Sequence, residues 1–93
     1  MHAVIVEVDT SGTEREEGIK NLRENVVPGV KQAPGFHSGT WLRPREDQKG
    51  FSLVLFDSEE NARAAAERLE VGSNPVPGVT VERCEVREVA AHA

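Results

Sequence analysis

The sequence predicts an α+β fold of order β-α-β-β-α-β, in one domain spanning residues 1–93. Three observations predict it. Residues 34–57 read as a β-hairpin that holds all four aromatic residues, Phe36, Trp41, Phe51 and Phe56. Apolar, β-rich runs at 2–8 and 79–89 supply a strand near each end. Between these strands lie two stretches with apolar residues at helical spacing, Ile19, Leu22 and Val26 in one and Ala62, Ala65, Ala66 and Leu69 in the other.

Along residues 2–8, Val4, Val6 and Val8 share one side, and Ala3 and Ile5 make the other side partly apolar. A strand apolar on both sides belongs in the middle of a sheet covered on both faces. Residues 9–13 form a turn. Thr13 with Glu16 fits a capping box, and Glu14, Glu16 and Glu17 load the first helical turn with the charge it favours. Pro28 is expected to end or kink this helix near Val27. Pro34-Gly35 launches the second strand, on which His37, Gly39, Trp41 and Arg43 share one side and Phe36, Ser38, Thr40 and Leu42 the other. A polar loop over 44–49 leads to the third strand, with Phe51, Leu53 and Leu55 opposed to Ser52, Val54 and Phe56. Asp57 or Ser58 caps the second helix, whose small alanines let it lie close on a sheet. Gly72 is the expected C-cap. Along 79–89 the apolar phase changes from Val79 and Val81 to Cys84 and Val86, which a bulge, or a strand whose end pairs elsewhere, would explain.

This order is the ferredoxin-like split unit, a four-stranded antiparallel sheet with two helices on one face. The other face is then expected to carry Ile5, Trp41, Val54 and Phe56, too much apolar surface for solvent. The simplest remedy is a second copy packed sheet to sheet about a two-fold axis. A chain of 93 residues buries only about 60–65% of its unfolded surface, so its own core is marginal.

The composition is ordinary, 38% hydrophobic and 29% charged. The net charge of −5 argues against nucleic acid and against anionic membrane surfaces as partners. A single cysteine, Cys84, allows no internal disulfide and suits the cytoplasm. The first residues lack the basic and apolar regions of a signal peptide, and no run approaches the roughly 20 apolar residues of a membrane helix. No phosphate loop, dinucleotide fingerprint, paired-Cys motif or Ser elbow is present, so no cofactor is expected.

Ala33-Pro34-Gly35-Phe36 before a strand, then a hairpin, then Leu55-Phe56-Asp57-Ser58-Glu59-Glu60 entering an alanine-rich helix, resembles the dimeric α/β-barrel superfamily. Within it the chain looks most similar to the antibiotic-biosynthesis-monooxygenase-like domains. The likeness covers nearly the whole chain in topology, on short motifs. It implies a homodimer formed through the non-helical sheet face, with each sheet facing a pocket. It also implies binding or oxidation of a small aromatic molecule without a metal cofactor, or haem binding or degradation. Phe56 matches the family's aromatic position before the second helix. The family's oxygenases and haem degraders draw on Asn, Trp and Tyr or His. This chain has no tyrosine, and its four asparagines fall in helices or a loop.

Several residues are candidates for such a pocket. His37 and Trp41, four apart on a strand, point the same way. Either they form a pocket pair, with imidazole as acid or base and indole as wall, or Trp41 is dimer core and His37 a solvated residue. Arg43, Arg83 and Arg87 offer guanidinium groups to an anionic ligand, or simply pair with carboxylates such as Glu85. Glu7 is either a half-buried base or a wet rim residue. Cys84 is read as packing rather than nucleophile. His2 and His92 lie at the two ends, where adjacent terminal strands can bring them together, but with His37 they are too scattered for a metal site. The resulting set has His37 as catalytic residue and Trp41, Arg43, Phe56 and Glu7 as substrate-binding residues. A packed, non-catalytic dimer interface is the competing reading of the same face.

Overall fold

The computed structural model describes residues 1–93 as one antiparallel sheet with helices on one face. The strands are β1 (His2–Asp9), β2 (Phe36–Leu42), β3 (Lys49–Phe56) and β4 (Thr80–Glu88), in spatial order β2-β3-β1-β4. That is the ferredoxin-like arrangement expected from the sequence. β1 lies inside the sheet, as its two apolar sides require, although helices cover only one of them.

The helical elements are α1 (Arg15–Asn21), a π-helical turn (Leu22–Val26), α2 (Val27–Val30) and α3 (Glu59–Ala66). Pro28 does not stop the first helical stretch. It sits in the first turn of α2, directly after the π turn. The wider π turn makes room just before a ring that a regular helix would have to expel. The expected capping box is also absent. α1 begins at Arg15 with Glu14 at its N-cap, no side chain caps it, and the Thr13 hydroxyl donates to Glu14 O at 3.4 Å. Ser58 does cap α3, accepting from Asn61 N–H at 3.1 Å. α3 ends at Ala66, so Gly72 is no C-cap. Its left-handed backbone turns the following loop, and its N–H donates to Val81 O at 2.7 Å.

The core is Val4, Val6, Val54, Phe56 and Val81 against Ala62 of α3, with Val30 and Leu69 packed around it. Ala62 is fully buried, so α3 lies close on the sheet as its small stripe allows. Phe56 is 1% exposed and meets Phe36 edge to face, with centroids 6.5 Å apart. Two loops close over one end of the sheet where Gly12 N–H donates to Gly78 O at 3.1 Å. A Cβ on Gly12 would lie 2.8 Å from Gly78 Cα, so the approach requires glycine.

Two bulges set the faces. Glu7 opposes Arg83 and Val8 opposes Val81, which leaves Glu82 extra in β4, so of the two explanations for the phase change the bulge is the one observed. The second bulge was not anticipated. Phe36 opposes Phe56 and Ser38 opposes Leu55, so His37 is the unpaired residue. The register then places Gly39 opposite Val54 and Trp41 opposite Ser52, while Val54 opposes Val4. Trp41, Val54 and Phe56 therefore lie on the helical side, against the expectation that they stand on the bare one. Both sides of β3 are apolar, and a period of two cannot say which side the helices take.

Candidate functional site

The bare face is built from the alternate residues of each strand. β1 contributes Ala3, Ile5 and Glu7, β3 contributes Phe51, Leu53 and Leu55, β2 contributes Ser38, Thr40 and Leu42, and β4 contributes Arg83, Glu85 and Arg87. Its two ends differ. Ala3 and Leu55 are each 5% exposed. The C-terminal residues return to that end: Val89 N–H donates to Met1 O at 2.9 Å, and the His92 ring meets the His37 ring edge to face at 5.6 Å. At the other end Leu42, Phe51 and Leu53 are 57%, 43% and 44% exposed. These three, with Ile5, Thr40 and Ser52, line a shallow groove of about 370 Å³.

A charged row flanks the groove. Glu85 accepts from Arg87 at 2.6 Å and also from Arg83. Those bonds, Arg87 first, hold its carboxyl below the usual carboxylate range. Glu7 lies between this row and the groove, directly opposite Phe51 on one side and Arg83 on the other. Past the groove, Lys49 bridges Glu82 at 2.6 Å and Asp9 at 3.4 Å. The bond to Glu82 leads in raising the Lys49 pKa. Asp9 is lowered mainly by hydrogen bonding from Ser11, with Lys49 adding to it.

The site residues expected from sequence do not assemble. His37 is exposed at its bulge, bonded at 3.1 Å to the Ser38 hydroxyl and met edge to face by His92. Trp41 is half-buried on the opposite side of the sheet from the groove, against the core. The bulge that removes one residue from the pleat is what separates this pair. Arg43 reaches Glu16 on α1 at 3.0 Å and is not aimed at the groove. Phe56 is sealed in the core. Of the five, Glu7 alone keeps its expected place beside the apolar surface. Leu42, Phe51, Leu53 and Thr40 were not singled out as site residues, because the hairpin was assigned the opposite face. The register between β1 and β3 is what turns them outward. If Val4 and Val6 face the helices, a β3 register pairing Val4 with Val54 turns Phe51 and Leu53 outward.

The remaining candidates do not line this groove. Cys84 is half-buried near Ala66 O, and burial pushes its thiol up, with Glu85 adding to the shift. A protonated thiol is a poor nucleophile. His2 does not meet His92. Its Nε2 is 3.9 Å from Glu59, and its Nδ1 is buried without a partner. No three His, Cys, Asp or Glu side chains gather where they would share a metal ion. No helix is long and apolar enough to cross a membrane.

No family model matches this chain, and no curated protein matches its sequence.

Proposed function

We propose that the chain is a self-associating binding module of the cytoplasm, in which a second copy closes over the bare sheet face and a small apolar molecule lodges between. One observation carries this reading: three large apolar side chains, Leu42, Phe51 and Leu53, stand half in solvent around one groove on the face that the helices leave uncovered. At about 370 Å³ the groove lies at the small end of ligand sites, which suits a ligand of one or two rings. The likeness of the fold to the dimeric α/β barrels supports the same assembly.

Binding is favoured over turnover. None of the six lining residues is titratable, and none is a haem ligand. A base for oxidation of a hydroxyquinone would have to come from Glu7, which stands opposite Phe51 at the rim. Titrating the protein with 1,4-naphthoquinone and following calorimetric heat tests the reading. Saturable binding is expected, weakened at least about tenfold in Leu53→Asp, where a charge enters the apolar patch. Equal heats for the native chain and Leu53→Asp would remove the groove from the account. Oxygen consumption with a hydroxyquinone, abolished in Glu7→Gln, would convert the binding module into an oxygenase.

A further inference from the structure

The sheet ends in two edge strands, and they are built differently. β4 carries Glu82, Arg83, Glu85, Arg87 and Glu88 among its nine residues, and the Glu82 bulge interrupts it. Charges and bulges are how a sheet edge is kept from pairing with another chain. β2 pairs only with β3, so its outward N–H and C=O groups face no strand. From Phe36 through Leu42 it holds no charged residue and no proline. Its bulge, at His37, lies at its start and leaves residues 38–42 regular. The Trp41 ring lies back along its own strand over Gly39, where a Cβ would come within 2.6 Å of it. The indole therefore shields the helical side of the strand rather than blocking its edge.

We infer that β2 is a pairing edge, and that its occupant is β2 of a second copy, antiparallel about a two-fold axis at Thr40. Three features point to a second copy. In that register Thr40 opposes itself, Leu42 opposes Ser38 and Trp41 opposes Gly39, so each large side chain meets a small one. Each copy carries a net charge of −5, and an uncharged strand lets two copies approach along neutral backbone. Thr40 and Leu42 also belong to the bare face, so pairing joins the two exposed apolar patches into one band across the axis. The contact is isologous and closes on itself. It extends the sheet sideways, whereas the proposed face closure stacks two sheets. Both together give a tetramer of two stacked pairs.

Amide hydrogen exchange, read residue by residue at dilute and concentrated protein, tests the inference separately from face closure. Alternate amides along 38–42 are expected to slow at least about tenfold on concentration, while the outward amides of β4 do not change. Thr40→Lys, at an exposed position, places two like charges on the axis and is expected to abolish that slowing with the fold intact. Leu53→Asp, which opposes face closure, is expected to leave it in place. Exchange along β2 that is independent of concentration overturns the pairing. So does slowing that survives Thr40→Lys or disappears in Leu53→Asp.

Discussion

Phe56 and Glu85 show how differently two side chains hold this small molecule. Phe56 is 1% exposed, packed between Val4, Val54 and Ala62 and met edge-on by Phe36. Truncation removes its burial and leaves a cavity that close-packed neighbours cannot fill. Phe56→Ala is expected to cost about 3–5 kcal/mol, measured as a lowered urea midpoint at unchanged slope. A domain of this size has only about 5–15 kcal/mol in all, so this one truncation removes a large share of the stability. Glu85 acts through charge. Its carboxyl is lowered by Arg87 and Arg83, so the folded state favours the ionised form. Its stabilising contribution is present above the ordinary glutamate pKa and is lost as pH falls through the lowered value. Carboxyl titration by NMR is expected to find Glu85 below the ordinary glutamate value and to return it toward that value in the Arg83→Gln, Arg87→Gln double variant. At this scale the sequence spoke clearly where chemistry is local. The pairing of Glu85 with both arginines and the packing of Cys84 beside the core follow from neighbours two residues away or from residue type. The fate of His37 did not, because one unpaired residue in a strand leaves no mark on composition.

Elements were legible wherever two independent signals agreed. The four strands, the alanine-striped helix and the bulge in β4 follow from periodicity joined to turn and cap residues. The first helical stretch was harder. Thr13 and Glu16 have the spacing of a capping box, yet α1 starts at Arg15 and no side chain caps it. Ser58, by contrast, accepts from Asn61 N–H. Thermal or urea unfolding is therefore expected to show a loss of about 1 kcal/mol in Ser58→Ala and almost none in Thr13→Ala. Equal losses would restore the capping box. Pro28 was expected to end or kink the helix near Val27, and the helical stretch instead continues through it after one widened turn. Propensity reports the cost of proline in a regular helix and is silent on how a neighbouring turn relieves it.

For the whole molecule, the architecture and the excess of apolar surface on one face were both in the sequence. The identity of that surface was not. β3 is apolar on both sides, and only the register with β1 decides that Val54 and Phe56 go to the helices while Phe51 and Leu53 go to solvent. That reversal moves the candidate site from a histidine and tryptophan to an aliphatic and phenyl groove, and it is why binding rather than catalysis is proposed. The central claim is that this groove is covered by a second copy. Sedimentation equilibrium of the native chain and of Leu53→Asp tests it most directly. At a loading dilute enough for β2 pairing to have dissociated, the account predicts twice the 10.2 kDa protomer mass for the native chain and 10.2 kDa for the variant. A native chain that remains at 10.2 kDa at every loading contradicts it.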